Sequence, residues 1–430
     1  MDNKKVKSKT VLIIIAVAAF LFTISCSFES KQKSVNDSHL NHLYEEIVVD
    51  GQEMAIIHIY AEHPDYEWVD DDDEGTACVD DVARAAIFYM KDFRYKGNLQ
   101  SKIKAEKLIK FIFFMQSDNG YFYNFIFPDH SINTSHQNSI NRPGWWSWRA
   151  FWALTEAYPL LKNTDEHLSL EILGAMQKVV ENLKDYIPVQ KDRTVIAGVE
   201  VPKWLPYEYG SDQASLLIIG LTNYYKIIPD ESVLEIINSL SEGIMLMQIK
   251  DSASKFYGAF LSWQNKWHGW GNMQSYALFK AYQVTNNKSY LNSALLEIDN
   301  FYNQLLNEGY INEFSIDIKN SKVNINEIRK YSQIAYSFRP MVYAALEAHK
   351  IAGEEKYSKY AADYSKWFFG NNHLNVQMYF PATGRCYDGL NETIVNKNSG
   401  AESTIEALLI FQELEKNKIN LPNLDKDKQK

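Results

Sequence analysis

The sequence predicts an all-α protein, an (α/α)6 toroid of about twelve helices in six hairpins, with small β content in the loops. Three observations lead there. Apolar residues recur with helical period through most of the 430 residues. Short returns alternate with long loops, which pairs the helices and gathers the long segments at one end of the array. No fixed repeat of about 34 residues runs through the chain, which argues against a helical solenoid.

In chain order, residues 1–26 read as a lipoprotein signal peptide to be set aside before fold reasoning. Lys4, Lys5, Lys7 and Lys9 form its basic part and Val11 to Phe22 its apolar part. That run is shorter than the roughly 20 residues a membrane-spanning helix takes. Thr23-Ile24-Ser25-Cys26 is similar to a bacterial lipobox, with Thr23 where Leu is usual. Cleavage before Cys26 and lipid on its sulfur would give an exported protein, anchored to a membrane at the cell surface or periplasmic face. Residues 27–40 are a polar tether, and residues 41–415 a single domain.

Within it, helices are expected at 79–95, 99–117, 146–161, 165–186, 211–227, 230–249, 271–285, 288–306, 332–350, 354–369 and 402–415, with a twelfth near 36–47. The long loops are 62–78, 118–145, 187–210, 250–270, 307–331 and 370–401. Strands are expected at Glu46–His58 and Phe122–Phe127. Residues 416–430 read as a flexible tail.

The net charge of −10 argues against nucleic acid, whose affinity rests on basic contacts to phosphate. The signal segment carries four Lys and one Asp, so the remainder is more acidic still. A neutral substrate fits such a body more easily than an acidic one. After Cys26 two cysteines remain, Cys78 and Cys386, each beside an acidic loop-to-helix junction. They are either bonded to each other or small buried residues. No zinc spacing, phosphate-cradling loop or nucleophile elbow occurs, so no metal or cofactor is expected. The run Asp70 to Glu74 lacks the spacing of a calcium loop and reads as a solvated acidic segment.

The two acidic junctions carry the chemistry. Asp80-Asp81-Val82-Ala83-Arg84 opens one apolar helix. Adjacent carboxylates on a helix diverge by about 100°, so one can pair with Arg84 while the other faces the toroid mouth. Asp80 can pair with Arg84, one turn on, and Asp81 lies three residues from it; Asp81 is the candidate base that activates water, and Asp80 binds substrate or exchanges these roles with it. The bland account is that acids favour helix N-termini. The second junction, Asn398-Ser399-Gly400-Ala401-Glu402, follows a turn containing Asp388. Glu402 is the candidate acid, provided burial or a neighbouring charge such as Asp388 keeps it protonated. The alternative is the N3 position of a capping box begun by Asn398 or Ser399.

Candidate substrate contacts come from the other loops: Arg84, Asp118, Trp146, Tyr209, Trp267, His268, Arg339 and Asp388. Tryptophan faces stack on sugar rings, and Trp263, Trp267 and Trp270 share a Gly-containing loop with His268. Trp145, Trp148 and Trp152, spaced by three and four, read instead as a core stripe.

Residues Gly75 to Ala85, Gln116 to Phe125 and Pro381 to Thr404 resemble the six-hairpin glycosidase-like proteins, which include family-nine cellulases. The likeness runs from about Tyr44 to Phe411. It implies an (α/α)6 toroid in which an N-terminal Asp pair activates water and a C-terminal Glu donates the proton, with inversion. Asp80, Asp81 and Glu402 stand in similar order. The expected function is therefore hydrolysis of a glycosidic bond in a poly- or oligosaccharide. Two alternatives stay open: uronate lyase or epimerase chemistry, with Tyr209 or His268 and Arg142 or Arg339, and a non-catalytic surface glycan-binding lipoprotein.

Overall fold

The computed structural model describes residues 35–188 and 190–419. The signal segment, Cys26, most of the tether and the tail from residue 420 lie outside them. Twelve helices of at least six residues order the described chain. α1 is Ser38–Leu43, α2 Val79–Lys96, α3 Leu99–Phe114, α4 Trp145–Leu161, α5 Glu166–Tyr186 and α6 Ser211–Ile227. α7 is Glu231–Leu246, α8 Gln274–Thr285, α9 Lys288–Leu296, α10 Phe338–Ala352, α11 Glu355–Ser365 and α12 Ala401–Lys416. α9 continues through a π-helical stretch, Glu297–Tyr302, and a last turn, Asn303–Glu308.

The expected helices are all present, and the short returns show why. The α2–α3 return is Gly97-Asn98: Gly97 takes φ 68°, and the Asn98 side chain accepts from Gln100 N. The α8–α9 return is Asn286-Asn287, again one left-handed residue and one capping side chain. Asp165 and Asp230 cap α5 and α7 in the same way. Stop and start signals on adjacent residues make antiparallel helix pairs.

α2, α4, α6, α8, α10 and α12 form a closed inner ring, each packed on the next and α12 back on α2. α3, α5, α7, α9 and α11 pair outside them, and α1 packs on α12. The inner helices run parallel, so their N-termini share one end of the ring, which also carries the long loops. The core between the layers is large and aromatic: Trp148, Trp152, Phe151, Trp367, Phe338 and Phe411 are fully or almost fully buried.

The β content is small, as expected, with two differences. Tyr44–Val49 and Gln52–Ile57 form a hairpin closed by Asp50-Gly51, both at positive φ. Further hairpins, Arg193–Ile196 with Val199–Pro202 and Glu313–Lys319 with Lys322–Arg329, stand where loops were expected. The alternation Phe314, Ile316, Ile318 was legible as a strand. Among the described residues no helix is long and apolar enough to cross a membrane. Cys78 and Cys386 are buried free thiols, so the disulfide alternative falls.

Candidate active site

Six helix N-termini converge at the loop end, and the first turns of α2 and α12 place acids there. On α2 the Cys78 sulfur caps the helix, accepting from Asp81 N at 3.4 Å. Asp81 is 3% exposed and accepts from Arg84 Nη1 at 2.6 Å and from the Cys78 thiol at 3.2 Å. Asp80 points elsewhere. Its Oδ2 accepts from Arg149 of α4, and its buried Oδ1 has no partner in the protein. The expected Asp80–Arg84 pair is therefore corrected: three-residue spacing gives Arg84 to Asp81, and Asp80 takes Arg149 instead.

On α12 the N-cap is Gly400, and Glu402 is the second helical residue. The capping box is not formed, because the Ser399 hydroxyl accepts from Cys386 N at 3.1 Å. Gly400 lies so close to strand backbone that a Cβ would come within 2.7 Å of Ile59 O. That approach lets Gly400 N donate to Asp388 Oδ1 at 2.9 Å, with the Ser403 hydroxyl donating at 2.6 Å. Asp388 therefore fastens the N-cap and first turn of α12 rather than standing as an open substrate contact. Desolvation raises its pKa, against the pull of those two donors.

Arg84 joins the two junctions. Its Nη2 donates to Glu402 Oε2 at 2.9 Å, and its Nε lies 3.2 Å from Glu406 Oε1. Glu406 in turn accepts from Arg339, both fully buried. Arg149 donates from Nη2 to the Tyr336 hydroxyl at 2.5 Å. The Arg84 and Arg149 guanidinium carbons lie 4.9 and 5.1 Å from the Tyr336 ring centroid. Four carboxyls, Asp80, Asp81, Glu402 and Glu406, thus face three guanidiniums, Arg84, Arg149 and Arg339. One negative charge is left over. Burial pushes Asp81 up to about 6 despite Arg84, with Glu402 and Asp80 adding to the rise. In this layer Glu402 is the open acid, its side chain 42% exposed, whereas Asp81 and Glu406 lie beneath it.

Aromatic rings wall this acid layer. Trp145 and Trp270 stand 5.9 Å apart, and Arg149 lies 5.3 Å from the Trp145 ring. Trp270 is 38% exposed. Gly271, at φ 76°, has no room for a side chain: a Cβ would sit 2.8 Å from Trp145 and 3.4 Å from the Tyr336 hydroxyl. Trp270 stacks on His268 at 3.6 Å between centroids. His268 Nε2 meets Asp212 Oδ2 at 2.8 Å, and its Nδ1 meets Trp270 O.

Several expected substrate contacts are corrected by burial. Trp146 is in the core, its indole N–H donated to Phe122 O. Trp267 packs on Phe301 and Phe314. Arg339 is spent on Glu406. Both ring nitrogens of His268 are occupied, which leaves none for a substrate. Tyr209 is partly exposed beside α6 at φ 83°, following Tyr207 and Glu208, also left-handed. Asp118 is exposed in its turn, apart from the acid cluster's bonds.

Arg149, Tyr336 and Glu406 complete the arrangement and were not picked out in the sequence; Asp212, read there as a cap or first-turn acid, stands in the first turn of α6. For Arg149 and Glu406 a signal existed. Each is a lone charge inside an apolar helical run, Trp148-Arg149-Ala150-Phe151 and Ile405-Glu406-Ala407-Leu408. A buried charge requires a partner of opposite sign. Among the described residues no cluster of His, Cys, Asp and Glu could hold a metal ion.

No protein family matches the sequence, and no curated protein matches it. Solved structures do match the fold. A sugar epimerase from a ruminal bacterium superposes with a TM-score of 0.63 at 12% identity, over 91% of this chain and 98% of that one. The cellobiose 2-epimerase of Bacillus thermoamylovorans B4167 gives 0.60 at 13% identity, over 91% and 99%. A family 76 glycoside hydrolase from a bovine Bacteroides thetaiotaomicron strain gives 0.58 at 11% identity, over 90% and 78%. These likenesses show the fold, an (α/α)6 toroid.

Proposed function

We propose that this protein is a carbohydrate-active enzyme that hydrolyses a glycosidic bond at the mouth of the toroid. The observation that carries this reading is the surplus carboxyl: four acids face three guanidiniums, Glu402 is the open one, and burial pushes Asp81 beneath it up to about 6. Glycoside hydrolysis needs a proton donor, together with a second carboxylate to activate water. In this reading Glu402, the open member, protonates the leaving oxygen as the bond from that oxygen to the anomeric carbon breaks. Asp80, whose buried Oδ1 is unpartnered in the protein, removes a proton from the attacking water, which must enter beside that oxygen. Asp81 acts through Arg84 and positions Glu402, so the water-activating role passes from Asp81 to its neighbour. Trp145 and Trp270 offer ring faces to the sugar.

A second reading is favoured by a specific feature. Arg84, Arg149 and Tyr336 form a donor-rich floor, which suits the oxyanion of an enediolate in sugar epimerisation or isomerisation. The fold likeness to two epimerases supports it too. Incubation with a panel of oligosaccharides, followed by chromatographic separation of the sugars and mass spectrometry of each peak, separates the two. Products carrying one added water, absent with Glu402→Gln, support hydrolysis. Products of unchanged mass transfer the proposal to epimerisation. No change in any sugar removes both.

Export with a lipid on Cys26 completes the proposal, supported by the lipobox-like sequence. Incorporation of labelled fatty acid by the wild type and not by Cys26→Ala tests it.

A further inference from the structure

The opposite end of the ring holds a cavity of about 610 Å³, within the range of small-molecule sites. It opens among the C-terminal halves of all six inner helices. Its walls carry seven cations, Lys91, Arg94, Lys162, Lys226, Lys280, Lys350 and Lys416, and three acids, Glu156, Glu347 and Glu413. An excess of four positive charges around one cavity is notable in a chain of net charge −10.

The cations fall into two groups. Lys91 is bonded to Glu413 at 2.7 Å, Lys280 to Glu347 at 3.1 Å, Lys350 to Glu347 at 3.2 Å and Arg94 to Glu156 at 3.2 Å. Lys416 donates to the Tyr95 hydroxyl at 2.9 Å and lies 3.7 Å from Glu413. The three acids are thereby consumed. Lys162 and Lys226 have no carboxylate within ion-pair distance among the described residues. Desolvation, and after it the Lys280 ammonium, hold Lys226 below the ordinary lysine pKa.

Helix C-termini attract cations, each end carrying about half a negative charge. That effect explains part of the excess. It does not explain why the lysine ammoniums here bond to carboxylates and tyrosine hydroxyls rather than to terminal carbonyls, or why they ring a cavity instead of filling it.

We propose that this cavity binds a small phosphoanion, such as a phosphate ester of a polyol, with Lys162 and Lys226 as its open ligands. Four surplus charges match a multiply charged anion better than a monocarboxylate. Lysine, a compact point charge with three donors, suits phosphate. Tyr276 lines the same cavity, whereas the hydroxyls of Tyr95 and Tyr343 already donate to Glu413 and to Leu409 O.

The probe is inorganic pyrophosphate, titrated calorimetrically into the full chain at physiological salt. Saturable one-to-one binding is expected. The Lys162→Ala/Lys226→Ala double variant should weaken it at least about tenfold, the loss of one charge-assisted hydrogen bond. Lys322→Ala/Lys330→Ala, on the far hairpin, should leave it unchanged. As a measurement independent of variant folding, pyrophosphate should slow acetylation of Lys162 and Lys226 severalfold in the wild type, and not that of Lys322. No saturable binding, equal weakening by both double variants, or uniform protection of all lysines overturns the proposal. Binding to vesicles containing phosphatidylglycerol without binding of pyrophosphate also overturns it, since the ligand would then be a membrane surface.

Discussion

Arg84 donates to Glu402 across 318 positions of sequence, at 2.9 Å, while holding Asp81 at 2.6 Å with its other terminal nitrogen. One guanidinium thus fixes the first turn of α2 against the first turn of α12 and closes the ring where its first and last inner helices meet. Arg84 is buried, so its value lies in compensating acids that have no water to turn to.

Arg84→Met should therefore unfold at lower denaturant. It leaves Asp81 and Glu406 buried with one cation fewer, and a loss of about 3–5 kcal/mol is expected. Urea titration followed by circular dichroism measures it. Arg84→Lys keeps the charge but not the fork, and should recover only part of that loss. Equal stability of all three proteins would show that the network contributes little.

Glu402→Gln should behave in the opposite way. Its side chain is 42% exposed and the pair is worth little to stability, so the unfolding midpoint should move by less than about 1 kcal/mol. Turnover should fall at least about 100-fold if Glu402 moves the proton. A variant with wild-type turnover would remove Glu402 from the chemistry.

Trp270→Ala should raise KM and leave kcat nearly unchanged. The ring is at the mouth and stacks on His268, and loss of a sugar-facing aromatic surface corresponds to about 1–2 kcal/mol of binding. Steady-state kinetics on the substrate found in the panel would show it. A fall in kcat with constant KM would mean that Trp270 instead orders the His268–Asp212 pair.

Glu297 gives the fold a pH dependence away from the mouth. The carboxyl is buried in the π-helical stretch, accepting from Ser275 Oγ at 2.7 Å and from Phe260 N at 3.0 Å. Desolvation pushes it up from 4.5 to about 7, against those donors. The folded protein then binds more protons than the unfolded chain between those values. Its stabilising contribution is complete below pH 4.5 and is lost as pH rises through 7. Between pH 5 and 8 the wild type should lose roughly 2–3 kcal/mol from this group. Glu297→Gln should show a flatter profile, whatever its absolute stability. An unchanged slope would mean that Glu297 is not the titrating group.

Much of the toroid was legible in the chain. Helix pairs announced themselves at Gly97-Asn98 and Asn286-Asn287, where the residues that stop one helix and cap the next are local and need no partner. Asp80, Asp81, Arg84 and Glu402 were legible as acidic junctions for the same reason: a first-turn acid is a local preference. The burial of Trp267 was not, because a tryptophan in a loop segment has no period to say which way it faces; Trp146 and Arg339 each stand second in a helix, where the packing of the preceding loop decides what covers them. Nor was the exchange of partners, Asp81 to Arg84 and Asp80 to Arg149, since adjacent acids differ only in helical angle.

What the sequence by itself determined was where the helices start and stop, how they pair, and that acids head two of them. Those choices depend on dihedral preference, capping and apolar period within a few residues. Only the closed ring decided which charges meet. Arg84 reaches Glu402, and Arg339 reaches Glu406, because α12 packs back on α2 and α10. In that dry layer each ion must find its opposite within hydrogen-bond distance. The odd carboxyl left among three guanidiniums is a property of that packing.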